Sequence, residues 1–183
     1  MKTISEFFQL FWDKQLHYSS DEILRELEWD DFVKVVSMMN IKSCGTKIEH
    51  RVLEKNGWGK VRGHSAHGDG TKPDGAVVEI KSSIISPLDG SKVTFRGIRP
   101  HHNILEHYFV LIDLRDYKGN PVTNVFRLSK EDINHEKDER NVLRPYNMKK
   151  ADREKNIFSE LGTSFKKGDL ERWIKQYSVE IDL

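Results

Sequence analysis

The stretch Gly68-Asp69-Gly70-Thr71-Lys72-Pro73-Asp74-Gly75-Ala76-Val77-Val78-Glu79-Ile80-Lys81 decides how this chain is read. Pro73 presets φ for a turn, Asp74 tolerates the next corner, and Gly75 supplies the left-handed residue of a hairpin loop. The run from Ala76 to Lys81 is β-branched and bounded by that turn, so it reads as a strand. Counting outward from the loop, Lys72 opposes Ala76, Thr71 opposes Val77, Gly70 opposes Val78 and Asp69 opposes Glu79. Directly opposed antiparallel residues share a face, with Cβ atoms about 4.5–5.5 Å apart. Lys81 joins the face of Glu79 because strands alternate. Two carboxylates and an ammonium are therefore expected on one patch. By the same count His67 opposes Lys81, either on the reactive face or as an ordinary surface histidine.

The 183 residues suit a single domain with a real core. No run approaches the roughly 20 apolar residues of a membrane span. The start, Met1-Lys2-Thr3-Ile4-Ser5-Glu6, lacks a signal-peptide pattern. One cysteine, Cys44, excludes an internal disulfide framework and a cysteine-rich zinc site. A cytoplasmic protein with no membrane partner is the expectation. Net charge is +1, yet it is unevenly spread. Residues 1–40 hold four basic residues against eight acidic ones, and residues 41–105 hold eleven basic against six acidic. A polyanion would be drawn to the middle of the chain.

Ile4, Phe7, Phe8, Phe11, Trp12 and Leu16 follow helical spacing over residues 3–17. Ser19 with Glu22 offers a capping box, and Ile23, Leu24, Leu27, Phe32, Val35 and Val36 mark a second helix with a break near Trp29. This helical hairpin, residues 1–40, reads either as a core layer or as a dimer interface. Thr46 with Glu49 is a further capping box, with Gly57 as the stop. Glu49 and Glu54 on that helix read as solvated charges, with a carboxylate aimed at the patch as the alternative. Strands are expected at 60–71, 76–83 and 91–96, completing a three-stranded antiparallel meander. A short helix follows at Arg99–Glu106, with Pro100 in its first turn. Tyr108–Leu114 is apolar enough for a strand buried on both faces, and Val122–Leu128 is its partner. Polar helices start at Ser129 and Gly168. The fold class is α/β (α+β), with a mixed sheet.

Like charges directly opposed cost stability unless a cation sits between them. Hard cations such as Mg²⁺ choose carboxylate and carbonyl oxygens, and Asp69, Glu79 and the backbone carbonyl of Ile80 offer three. Such an ion lowers the pKa of a bound water and screens a phosphate. Lys81 would stabilise developing negative charge or take a proton from the water. The reaction class is hydrolysis of a phosphodiester.

Asp69, then Glu79-Ile80-Lys81 on the next strand after a capped helix, resembles the PD-(D/E)XK nuclease superfamily. The fuller run, on a short chain with helices first, is similar to the small homodimeric type II restriction endonucleases. The resemblance covers residues 46–128 and implies a restriction-endonuclease-like catalytic core, Mg²⁺, double-stranded DNA as substrate and a homodimer. Pro73-Asp74 spells the family's Pro-Asp, which would make Asp74 the first ligand. Five residues of strand separate it from Glu79, roughly 16 Å at about 3.3 Å per residue, so Asp69 is assigned instead. The resemblance places base contacts near Phe95–Asn103, where Arg96, Arg99, His101, His102 and Asn103 donate to base edges. The alternative for that segment is a polar helix start with two solvated histidines. Lys42, Lys47, Lys60, Arg62, Lys72 and Lys92 would position phosphates. Two other readings stay open: a structure-directed or repair nuclease of the same fold, and a DNA-binding module in which Asp69 and Glu79 merely pair with Lys81 and Lys60.

Overall fold

A computed structural model of the protein describes residues 9, 20–38, 41–61, 68–85, 93–100, 103–115, 121–146 and 160–183. The expected helix at 3–17 lies outside the described residues apart from Gln9. So do His67, His101, His102, Arg62 and Lys92, and the side chain of Lys42. The next two helices are α1 (Ser20–Arg25) and α2 (Trp29–Ser37), with the expected break between them. A distant arginine stabilises that break. Arg51, nearly buried, donates Nη1 to the carbonyl of Arg25 at 2.7 Å and Nη2 to that of Leu27 at 2.6 Å. It thereby takes carbonyls that a helix end leaves without partners. Leu24, Phe32, Val33 and Val36 are all buried in the chain's own core.

Helix α3 (Ile41–Lys55) starts five residues before the expected Thr46 cap. Its buried stripe explains the difference: Cys44, Ile48 and Val52 recur every four residues and face the sheet, so the turn containing Cys44 is held by packing. The stop is as expected. Gly57 takes φ +64°, its amide donates to Glu54 and that of Trp58 to Leu53, a Schellman ending.

The five-stranded sheet runs β1 (Gly59–Lys60), β2 (Gly70–Thr71), β3 (Val77–Ile85), β4 (Glu106–Asp113) and β5 (Val122–Ser129), in that spatial order. The counted register holds as far as Gly70 and no further: Thr71 pairs with Val77 and Gly70 with Val78, and Lys72 N–H donates to Ala76 O at 2.9 Å, but Asp69 is not paired with Glu79. Three expectations are corrected. The single strand at 60–71 is two short strands folded on each other, Gly59 opposite Thr71 and Lys60 opposite Gly70. Gly70 permits this, because a Cβ there would sit 2.4 Å from Leu53 Cδ2 and 2.9 Å from Gly59 O. The meander is therefore β1-β2-β3, and residues 93–97 form no strand beside β3. That place belongs to β4, parallel to β3, whose residues from Phe109 to Ile112 are almost wholly buried. The helix expected at Arg99–Glu106 does not form in its described residues. Leu105 N–H already donates to Val77 O at 3.0 Å, and Glu106 is the first residue of β4.

Residues 93–98 instead cross the face of the sheet opposite α3, with Phe95 and Ile98 fully buried. After β5 come α4 (Lys130–Asp138), β6 (Leu143–Pro145), β7 (Leu161–Thr163) and α5 (Asp169–Tyr177). Helix α4 begins at the expected Ser129, whose side chain forms a capping box with Asp132. Ile98 exchanges both backbone hydrogen bonds with Leu161, at 3.0 and 2.7 Å, tying the crossing segment to the β6–β7 pair. The two cores lie on opposite faces. Val78, Ile80, Tyr108 and Val110 pack under α2 and α3, while Ile85, Phe109, Leu111 and Phe126 pack under Phe95 and Trp173. Each fully buried large side chain contributes about 1.5–3 kcal/mol. Glu136 braces the second side: wholly buried, it accepts from Arg172, from Trp173 Nε1 at 3.0 Å and from Tyr177 OH at 2.9 Å.

Gly68 and Gly75 both have positive φ, +72° and +87°, but only Gly68 is crowded. Gly75→Ala is expected to cost about 1 kcal/mol, the backbone strain alone. Gly68→Ala also drives a Cβ to 2.5 Å from Val78 O, so it costs more. Thermal melting reads the difference, at about 2–4 °C per kcal/mol for a domain of this size. Equal losses would contradict this packing.

Candidate active site

Because the β2–β3 ladder covers only Gly70 and Thr71, Asp69 stands where, among the described residues, the β3 edge passes beyond its ladder partner. Its amide donates to Val78 O at 2.8 Å, and its Oδ2 accepts the amide of Ile80 at 2.7 Å. Asp69 is thus not a ladder partner of Glu79 but a side-chain cap on the next edge-facing amide. The N–H and C=O of a strand residue point to the same edge, so the Ile80 carbonyl faces the edge that holds Asp69. The Ile80 side chain is buried on the α3 face. Glu79 and Lys81 lie on the other face, as alternation requires.

Lys81 Nζ bonds Glu79 Oε1 and lies 3.8 Å from Asp69 Oδ2. The three expected groups do converge. Glu79 is 4% exposed, and burial pushes its pKa up, with Lys81 opposing that rise and Asp69 adding to it. The ammonium therefore outweighs the second carboxylate but does not offset the burial. Asp74 is elsewhere: exposed, its Oδ1 accepts the amide of Ala76 at 2.9 Å within the turn.

Glu49 and Glu54 part company. Glu54 pairs with Arg25 at 3.2 Å on the exposed surface. Glu49 is pushed up to about 7, chiefly by burial and then by Asp69, with Glu79 adding and Lys81 and Lys60 opposing. It belongs to the electrostatics of the patch. It sits beside Ile48 on the helix that covers Val78 and Ile80, a placement that no sequence pattern announces. Among the described residues, no three His, Cys, Asp or Glu side chains are grouped to hold a metal ion. What the edge offers a hard cation is the Asp69 and Glu79 carboxylates with the Ile80 carbonyl. An all-oxygen set carrying two negative charges suits Mg²⁺ in kind.

The remaining expected residues divide. Gly97 turns with φ +72° against Lys81, a Cβ there falling 3.9 Å from Lys81 Cε, so the Arg96–Arg99 segment borders the patch. Arg96 is exposed and lies over the Tyr146 ring, 4.8 Å from its centroid. Arg99 pairs with Glu160 at 3.2 Å, and Asn103 is exposed. Lys72 pairs with Glu106 at 3.1 Å, and Lys60 Nζ lies 2.6 Å from His50 Nε2. Lys60 is not the partner of either carboxylate among the contacts present.

One residue escaped the sequence reading. His107 is the register partner of Glu79 on β4 and is 1% exposed. Neither ring nitrogen has a hydrogen-bond partner among the described residues. Burial, with the charges of Lys81 and Lys130 added, lowers its pKa to about 3. No pattern marks it, since a strand of near-continuous apolar residues hides one imidazole.

The unfolded chain protonates this histidine near 6.5 and the folded one only near 3, so acid favours unfolding across that window. Between pH 7 and pH 5 the wild type is expected to lose roughly 2 kcal/mol more than His107→Phe, by denaturant melts at each pH. Parallel curves would contradict a neutral buried imidazole. No family model matches the chain and no curated protein matches it, so the reading of the site rests on its own residues.

Proposed function

We propose that the protein is a Mg²⁺-dependent endonuclease hydrolysing phosphodiester bonds in double-stranded DNA, of the site-specific type II restriction kind, acting as a homodimer. The observation that carries this reading is the meeting of Asp69, Glu79 and Lys81 at the edge of β3 just beyond β2. Asp69 and Glu79, with the Ile80 carbonyl, would hold the cation. Bound there, Mg²⁺ lowers the pKa of a water and screens a phosphate's charge.

The chain's own residues do the rest. Asp69, fixed by the Ile80 amide, keeps a constant orientation at the edge. Lys81, which lies against both carboxylates, would stabilise charge developing on the scissile phosphate or take a proton from the attacking water. The crossing segment, anchored by Ile98, brings Arg96 and Arg99 to the rim, where DNA would pass. Cutting both strands of a symmetric site needs two such centres, which a twofold dimer supplies. A binding module without catalysis is the second reading, favoured by one observation: Lys81 already pairs with both carboxylates.

Single variants test the assignment. Asp69→Ala and Lys81→Met are expected to slow Mg²⁺-dependent cleavage of DNA on the order of 10²-fold or more. Asp74→Ala should stay within a few-fold of wild type. Loss of cleavage in Asp74→Ala alone would show that the turn aspartate, not Asp69, is the ligand.

A further inference from the structure

Arg99 is held at the edge of the patch by a partner that a substrate could replace. The antiparallel bridge between Ile98 and Leu161 sets Arg99 directly beside Glu160. Arg99 Nη2 and Nε both reach the same oxygen, Glu160 Oε1, at 3.2 and 3.4 Å. A guanidinium matched to a carboxylate spreads its fork over both oxygens at shorter range. This pair is long, uses one oxygen and is partly open to solvent, the side chains being 39% and 29% exposed. Such a pair adds little to stability and exchanges readily.

Its place relative to the chemistry is the second point. Two residues before Arg99, Gly97 turns against the Lys81 side chain. Asp69, Glu79 and Lys81 together carry one net negative charge, which opposes the approach of a phosphate. Three of the described cations near the edge are engaged elsewhere: Lys72 pairs with Glu106, Lys60 Nζ lies against His50 Nε2, and Arg96 lies over Tyr146. The charge of Arg99 also reaches Glu79, where with Lys81 it opposes the rise that burial causes.

We infer that Arg99 contacts the phosphate backbone at the active site rather than a base edge, and that Glu160 occupies its guanidinium in the free protein until a phosphate oxygen displaces it. This rests on the nuclease reading above. The carboxylate of Glu160 is then a built-in competitor for the Arg99 guanidinium, against which a phosphate must bind.

The test is binding of two duplexes of unrelated sequence in Ca²⁺ across a salt series, with wild type, Arg99→Ala, Glu160→Gln and the double variant. Cleavage of a plasmid in Mg²⁺ is read alongside, and thermal melts confirm that each variant folds. Arg99→Ala should weaken binding to both duplexes by the same factor and lower the salt slope by about 1. Glu160→Gln should tighten binding only when Arg99 is present. A changed cleavage pattern with an unchanged salt slope would make Arg99 a base reader and overturn the inference. Weaker binding in Glu160→Gln would overturn the competitor role. If Arg99→Ala binds and cleaves like wild type, the inference falls while the nuclease reading stands. If wild type neither binds nor cuts either DNA, the nuclease reading falls and takes the inference with it.

Discussion

Two carboxylates cannot share the edge of β3 without a cation, and in this structure Lys81 supplies it. Much of the local architecture follows from that constraint. Strand β2 must stop after two residues, or the Asp69 side chain would not be left to cap the Ile80 amide. Gly68 and Gly70 make the stop possible, one by its positive φ and the other by fitting under Leu53. Burial of Glu79 keeps its charge costly, so the patch favours whatever positive group comes near. A lysine side chain can swing away when a better cation arrives, whereas a main-chain donor cannot. The amide of Ile80 fixes Asp69, and the mobile partner is left to Glu79.

The hairpin was legible because its determinants are local. Pro73, Asp74 and Gly75 specify a turn, the turn specifies a register, and the register puts Asp69 and Glu79 within reach of Lys81. The same holds for the Gly57 stop, the Ser129 cap and the doubly buried run of β4. Legibility failed where the deciding contact lies far along the chain. Residues 93–96 have strand character, but β4 competes for the place beside β3 with a more apolar run, and the loser crosses the face instead. Arg99–Glu106 has a helical opening, yet Leu105 is captured by Val77, and extended pairing takes over. The early start of α3 reflects packing of Cys44 that no capping pattern announces.

Within the site, the failures are of the same kind. Glu49 and Glu54 look alike on a helical wheel, and only the position of α3 over the β3 edge separates the one near Asp69 from the one near Arg25. His107 is invisible until the parallel pairing of β3 and β4 sets it against Glu79. The polar segment after residue 95 stands out by its composition, but its partners are tertiary. Tyr146 and Glu160 come from the β6–β7 region, whose mixed charge gave no sign of strands. The coarse class, a mixed sheet with helices on its faces, survives all of these corrections because it depends on the central strands alone.

The central claim is that this edge binds a divalent cation and uses it to cut DNA. Incubating the protein with supercoiled plasmid in Mg²⁺, and in parallel with excess EDTA, tests it most directly. Discrete fragments in Mg²⁺ and intact plasmid in EDTA are expected. A retarded but uncut plasmid in Mg²⁺ would contradict it, leaving Lys81 as the only cation the two carboxylates were built to hold.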